Sequence, residues 1–96
     1  MEKLTIETGS KILKAMGNIN RLQILFVLWK SEKNVGELEK VVGLSQSALS
    51  QHLAVLRRAH VVKTRRQAQT IYYSIKSVIA VNILSLLDKY YNQRYE

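Results

Sequence analysis

Apolar side chains recur at helical spacing in the first third of the chain. Ile12, Leu13 and Met16 predict a first amphipathic helix over residues 4–16, and Gly17 is expected to end it.

A second helix is predicted to begin at Asn20, because an Asn followed by Gln23 three residues later is a capping pattern. Its apolar run extends through Trp29. Because this helix is apolar on nearly all sides, we expect it at the centre of the core. Residues 31–34 are polar and predict a turn.

Two short helices follow. Asn34 and Glu37 form a capping pattern that predicts a helix ending at Val42, where Gly43 can adopt the left-handed conformation that closes a helix. The apolar positions expected to point inward are Val35, Leu38, Val41 and Val42. Ser45 is expected to cap a further helix that extends to Arg58. Two helices joined by a short turn containing Gly predict a helix-turn-helix.

After His60 the apolar period changes from helical to two. Val62 and Thr64 alternate with charged residues, and a second alternating run around Tyr73 follows the polar segment 66–69. This pattern predicts a β-hairpin, although the turn lacks Gly.

Ser77 is expected to cap a last helix with apolar positions at helical spacing. The order helix, helix, helix-turn-helix, hairpin, helix predicts a mainly α fold with a small β-hairpin, a winged helix-turn-helix. Residues 1–96 are expected to form this single domain.

Composition narrows the class of protein. The 96 residues are 47% hydrophobic and include no Cys, which excludes disulfides and thiolate metal sites. The longest apolar run, 24–29, is too short to span a membrane, and the acidic start does not resemble a signal peptide. We therefore expect a cytoplasmic protein without a membrane partner.

The sequence contains no paired carboxylates, no Cys nucleophile and no Gly-rich phosphate loop. An enzyme is therefore not expected, and no cofactor is indicated.

Positive charge is concentrated in one half of the chain. Residues 40–87 contain seven Lys/Arg and no Asp/Glu, hence +7, while the remainder has eight Lys/Arg against seven Asp/Glu, hence +1. Such segregation is typical of a surface that binds a polyanion, and double-stranded DNA is the first candidate. A basic face that only keeps the protein soluble is the alternative.

The helix over residues 45–58 has the chemistry expected of a recognition helix. At 100° per residue its polar side chains share an arc of about 140°, and the apolar ones occupy the opposite side. Amides and hydroxyls can pair with base edges, and Arg can bind guanine or phosphate. The predicted DNA contacts of this helix are Ser45, Gln46, Ser47, Ser50, Gln51, Arg57 and Arg58.

The hairpin over residues 61–76 is the predicted wing and a second contact with DNA. Its predicted contacts are Lys63, Arg65, Arg66, Gln67 and Gln69. Tyr72 and Tyr73 are expected to support the hairpin rather than stack on bases. His52 lies on the apolar side of the recognition helix and is expected to be a hydrogen-bonded structural residue; His60 could reach phosphate or face water.

Five sequence segments together resemble the ArsR/SmtB transcriptional regulators, over about residues 10–92. These are Asn-Arg-Leu-Gln-Ile-Leu from Asn20, Val-Gly-Glu-Leu from Val35, Leu-Ser-Gln-Ser-Ala-Leu-Ser-Gln-His-Leu from Leu44, Val-Val-Lys-Thr-Arg-Arg from Val61 and Ile-Tyr-Tyr-Ser from Ile71. The resemblance is strongest to the sulfur and redox sensors among the biofilm and virulence regulators of that family.

The resemblance implies a homodimeric winged helix that binds a palindromic operator and usually represses transcription. It also implies pairing of subunits through the first and last helices. The residues expected at the interface are Ile12, Ile83, Leu84, Leu87, Tyr90 and Tyr91, each of which could instead belong to the core of one subunit.

This chain has other residue types at the positions where members of this family sense an effector. The sulfur sensors place Cys in the second and last helices, where this chain has Phe26 and about Asn92. The last helix offers Asp88 as a carboxylate and no His, so no transition-metal site is expected. The resemblance therefore predicts a regulator without thiol or metal sensing, and its effector is unknown.

The charge alone fits a second function equally well, a nonspecific RNA-binding or nucleoid-type module. Single-stranded RNA binding usually requires exposed aromatic residues, and this chain has few of them, which argues against this function.

Overall fold

The computed structural model describes the backbone of residues 5–95 and the side chains of residues 5–91, so Leu4, predicted in the first helix, lies outside it. Within this part of the chain the elements in order are α1(Ile6–Met16), α2(Ile19–Lys30), β1(Lys33–Asn34), α3(Val35–Val42), α4(Gln46–Arg58), β2(Val62–Gln67), β3(Thr70–Ile75) and α5(Val78–Tyr95). The predicted winged helix-turn-helix is confirmed, with one additional short strand.

The cap of α2 is Asn18 and not Asn20. Its Oδ1 accepts hydrogen bonds from the backbone N–H of Asn20 at 2.9 Å and of Arg21 at 3.1 Å. Asn18 has an extended backbone, and the N–H of the preceding Gly17 already donates to the last turn of α1. The connection between α1 and α2 is therefore two residues shorter than the sequence suggests.

The predicted ends of α3 are confirmed. Asn34 Oδ1 accepts from Glu37 N at 2.9 Å, Glu37 Oε1 accepts from Asn34 N at 3.0 Å, and Gly43 closes the helix at a φ of 70°. The inward orientation predicted for Val41 is wrong, because this side chain is 55% exposed. Val35, Leu38 and Val42 share an arc of about 60°, and Val41 lies about 60° beyond its edge.

The wing is a three-stranded antiparallel sheet in the order β1-β3-β2. Pairing of Gln67 with Thr70 leaves a two-residue loop, and Ala68 takes a φ of 56° there, a conformation that Gly usually supplies. The predicted turn at residues 31–34 is corrected in part, because Lys33 and Asn34 pair with Tyr73 and Tyr72 of β3. The free edge of β3 provides the hydrogen-bonding partners that make this dipeptide a strand.

The core surrounds α2, as predicted. Ile24, Leu25 and Leu28 are at most 3% exposed, and they belong to one cluster that also contains the leucines on the inner side of α4, Leu49, Leu53 and Leu56. Burial of these side chains fixes α4 to the body of the protein, which is a requirement for a recognition helix.

The residues predicted at a dimer interface divide into three groups. Ile12 and Leu84 are 6% and 0% exposed inside the single chain, so their assignment to an interface is corrected: they pack in the core. Ile83 and Leu87 are half-buried. Tyr90 and Tyr91 are more than half exposed and remain candidates for contact with a second subunit.

Candidate nucleic-acid interface

The two faces predicted for α4 are confirmed. Ser45 caps the helix, since its Oγ accepts from Ala48 N at 3.2 Å. The inner side is buried, and the outer side carries uncharged polar residues that are all exposed. We call this outer row the reading face; it consists of Gln46, Ser47, Ser50 and Gln51. Its hydroxyls and amides are held on a rigid helix, free to meet a ligand from solvent.

Positive charge borders the reading face at its C-terminal end. Arg57 and Arg58 are exposed in the last turn of α4, and no acidic residue lies on this helix. Both guanidinium groups are thus available to a polyanion that also contacts the reading face.

His52 is half-buried on the inner side of α4 and contacts α2. Its Nδ1 lies 3.4 Å from Nη1 of Arg21, whose Nε donates to the carbonyl oxygen of Ala15 at 2.6 Å. The predicted structural role of His52 is confirmed, and Arg21 connects three helices. His60 is exposed in the turn after α4, where its φ is 59°.

The two faces of the wing differ because successive strand residues point to opposite sides. Val62 is buried, and Tyr73, paired with Thr64, packs on the core. Tyr73 also lines a groove of about 400 Å³ with Ser50, Ala54, Arg57 and Arg58 of α4. Arg66 belongs to the same face of the hairpin, and its Nε donates to the carbonyl oxygen of Ala68 at 3.2 Å. Strand β3, through Tyr73, and α4 therefore line one groove, and Arg66 projects from the same face of the hairpin.

Arg65 points to the other face of the wing and has a carboxylate partner. Its Nη2 lies 2.5 Å from Oε1 of Glu32, and its Nε donates to Oε2 at 3.2 Å. The guanidinium also stacks on Tyr72, 4.6 Å from the ring centroid, and donates to Gln67 Oε1 at 3.0 Å. Tyr72 and Tyr73 thus support the hairpin as predicted.

This ion pair shifts the titration of both partners. The hydrogen bond from Arg65 lowers the pKa of the Glu32 carboxyl below its ordinary value of 4.5, and the same bond raises the pKa of Arg65. Both side chains are substantially exposed to water. Sequence reasoning missed Glu32 because it lies 33 positions from Arg65 and on a different element. The remaining predicted wing residues, Lys63 and Gln69, are exposed.

The positions of the family's sensing residues have other contacts here. Phe26 packs edge-on against Trp29 with ring centroids 6.0 Å apart, and the side chain of Asn92 lies outside the described residues. Among residues 5–91, no three His, Asp or Glu side chains come together in a group that could hold a metal ion.

None of the described helices combines the length and apolar character needed to cross a lipid bilayer.

Comparison with known proteins identifies the family and several relatives to which this chain is similar. The family described as "Bacterial regulatory protein, arsR family" matches residues 18–64, from the cap of α2 into β2. The chain is 51% identical over 82 residues to transcriptional activator HlyU of Vibrio cholerae, covering 85% of this chain and 76% of that protein. The solved structure of HlyU from Vibrio cholerae superposes with a TM-score of 0.86 over 95% of this chain and 98% of that chain, at 48% identity.

Two further relatives have similar coverage. Nodulation protein NolR of Rhizobium meliloti is 53% identical over 85 residues, which is 88% of this chain and 70% of NolR. The biofilm growth-associated repressor of Xylella fastidiosa is 37% identical over 87 residues, which is 91% of this chain and 75% of that protein.

Proposed function

Because this chain belongs to the bacterial regulatory proteins of the arsR family, and is thus a DNA-binding transcriptional regulator and not an enzyme, we propose that it is a homodimeric repressor of a palindromic operator. The observation that carries the proposal is the reading face: four uncharged polar side chains project from a helix anchored by three buried leucines. The whole chain, residues 1–96, acts as one DNA-binding domain.

The reading face enters the major groove and distinguishes bases. Gln46 and Gln51 can each pair with an adenine edge, and Ser47 and Ser50 can donate to or accept from several bases. Their short hydroxyl side chains let the helix backbone approach the base pairs. These residues are uncharged, so they contribute sequence preference rather than general affinity.

Phosphate contacts surround the reading face and fix the protein on the duplex. Arg57 and Arg58 line the groove between α4 and β3, and Arg66 lies on the same face of the hairpin as Tyr73. We assign the backbone contacts to these three arginines. The remaining predicted contacts, at the cap of α4 and on the wing, are Ser45, Lys63, Gln67 and Gln69. Arg65 is held by Glu32, and its assigned role is to position the wing.

Dimerisation is supported by exposed apolar side chains on α5 and α1. Leu86, Tyr90 and Tyr91 are 55%, 68% and 61% exposed, and Ile6 and Leu13 of α1 are also exposed. Covering this apolar surface by a second copy would place two recognition helices on a two-fold axis, which matches a palindromic site. A winged helix dimer bound to the operator represses by excluding other proteins from that site.

The test is to measure the binding of fluorescent duplexes selected from a random pool. We expect Gln46→Ala and Ser47→Ala to reduce the preference for the selected duplex over a scrambled one by about 1–3 kcal/mol per lost base contact. Arg66→Ala should weaken binding to both duplexes and flatten the dependence of log affinity on log salt.

Gln23→Ala is the matched control, since Gln23 is exposed on α2, away from the reading face. Unchanged preference in both reading-face variants contradicts the assignment of these residues. Equal affinity of the wild-type protein for every duplex and for RNA favours the alternative, a nonspecific nucleic-acid-binding module.

A further inference from the structure

A second concave site lies between α1, the start of α2 and the C-terminal end of α4, apart from the reading face. This cleft has a volume of about 490 Å³, within the range of sites for small organic ligands. We call it the α1/α4 cleft; its lining residues are Lys11, Lys14, Ala15, Arg21, Val55, Arg58 and Ala59.

The charged residues that line the α1/α4 cleft are all basic. Lys11, Lys14, Arg21 and Arg58 come from three helices, and among residues 5–91 no acidic side chain lines the cleft. Lys11 has an ion pair with Glu7 at 3.6 Å, but both side chains are at least 70% exposed, so water screens this pair. Four like charges around one concavity repel each other, and a bound anion would relieve that repulsion.

The floor of the cleft is apolar. Ala15 is 3% exposed, and Val55 and Ala59 are half-buried beside it. An inorganic anion would satisfy the charges and leave this floor in contact with water. A ligand that also carries an apolar body would cover the floor and gain the additional free energy of burial.

Arg21 is fixed in place before any ligand arrives. Its Nε donates to the carbonyl oxygen of Ala15 at 2.6 Å, its Nη2 to that of Lys14 at 3.4 Å, and its Nη1 lies 3.4 Å from His52 Nδ1. A guanidinium whose geometry is already set loses little conformational entropy on binding a carboxylate. The cleft therefore contains one preorganised cation and three that can adjust.

The cleft lies mainly on a different side of α1 from the apolar residues that the proposed dimer covers. At 100° per residue along α1, exposed Leu13 and Ile6 lie about 100–120° to one side of buried Ile12. Lys11 and Lys14 lie on the other side of Ile12, by about 100° and 160°. A partner that covers Ile6 and Leu13 leaves Lys11 accessible, whereas Lys14 also borders the concavity that Ile6 and Leu13 line.

We propose that the α1/α4 cleft binds a small organic carboxylate with an apolar body, and that its occupation weakens DNA binding. Arg58 and Val55 form one wall of the cleft and belong to α4. A ligand there neutralises Arg58, a predicted phosphate contact, and packs directly against the recognition helix. Ligand binding does not depend on the proposed function, whereas the effect on DNA affinity rests on it.

The binding test uses calorimetric titration of the full chain with octanoate, with octanol and with sulfate. Octanol has the apolar body without the charge, and sulfate has charge without the body. We expect saturable binding of octanoate only. Lys14→Gln should weaken it about fivefold by removing one charged contact, and Ala59→Leu should weaken it by filling the floor without a change of charge.

Lys30→Gln is the matched control, because it makes the same substitution at an exposed lysine at the far end of α2. Thermal unfolding of each variant checks that it is folded. Equal binding of octanol or of sulfate overturns the proposed ligand class, and so does an equal loss in Lys14→Gln and Lys30→Gln.

The coupling test adds saturating octanoate to the duplex-binding assay. We expect at least a threefold loss of duplex affinity in the wild-type protein and a smaller loss in Lys14→Gln. If octanoate binds and duplex affinity does not change, the coupling is overturned and the proposed function stands. If the wild-type protein binds no duplex even without octanoate, the proposed function fails, while the titration still decides the ligand site.

Discussion

Arg65 and Arg66 are neighbours in the sequence, yet they have different surroundings in the wing. Strand alternation turns Arg66 toward the side of α4 and Arg65 toward Glu32 and Tyr72. Both arginines are predicted from the sequence to contact DNA, and the fold gives only Arg65 a carboxylate partner among the described residues. One arginine is available to a polyanion, and the other holds the wing to the end of α2.

The ion pair predicts that Glu32 limits the affinity for DNA. Glu32→Gln removes the carboxylate that neutralises Arg65, so we expect tighter duplex binding. The slope of log affinity against log salt should steepen by about 0.9 for each phosphate contact that Arg65 recruits. Fluorescence anisotropy at several salt concentrations measures both quantities.

Glu7→Gln is the control for Glu32→Gln, since it changes the net charge equally on α1, away from the wing. An equal gain in the two variants would show that only net charge matters. A loss of affinity in Glu32→Gln alone would show that the pair orders the wing for binding.

The helix-turn-helix depends on how α3 ends and α4 begins. Gly43 takes a φ of 70°, and Ser45 caps α4 two residues later, so the turn is fixed by backbone conformation and one hydroxyl. Side-chain packing of Leu38 and Leu49 then holds the two helices in the same core. The orientation of the reading face follows from this short turn.

Gly43→Ala is expected to destabilise the protein by about 1–2 kcal/mol, because an L side chain is strained at positive φ. A Cβ at this position meets no atom within 4 Å, so the cost comes from the backbone and not from a clash. Gly36→Ala is the comparison: a Cβ there comes to 3.4 Å from Asn34 Oδ1 in ordinary contact. It should stabilise α3 by up to about 1 kcal/mol. Urea unfolding measures both, and equal shifts would contradict the conformational argument.

At the scale of the whole molecule, apolar surface is left uncovered on one side. The side chains of α5 that point inward complete the core, and those that point outward continue the same apolar pattern into solvent. On α5, Val78, Leu86 and Tyr90 are more than half exposed in one chain. A second copy packed on them would remove this apolar surface from water.

Leu86→Gln is therefore expected to shift the protein from dimer to monomer, measured by sedimentation equilibrium, and to weaken binding to a palindromic duplex more than to a single half-site. Val41→Gln is the control, because Val41 is also 55% exposed but lies on α3. A dimer of unchanged stability in Leu86→Gln would place the subunit contact elsewhere.

The sequence by itself determined the local features: the helix-turn-helix, the cap at Ser45, the left-handed Gly43, the two faces of α4 and the hairpin. These depend on residues a few positions apart, whose spacing and conformational preferences act before any packing. Only the tertiary structure decided which apolar residues complete the core, since Ile12 and Leu84 have the same periodicity as side chains that remain exposed.

Tertiary structure also decided the strand β1, the partner of Arg65 and the α1/α4 cleft. The contact of Arg65 with Glu32 joins residues 33 positions apart, and that of Arg21 with His52 joins residues 31 positions apart. No local pattern encodes such pairs, because they exist only after the core has fixed the relative positions of the helices and the sheet. The sequence thus predicts which surface is proposed to read DNA, and packing decides which of the charges beside that surface lack a carboxylate partner within residues 5–91.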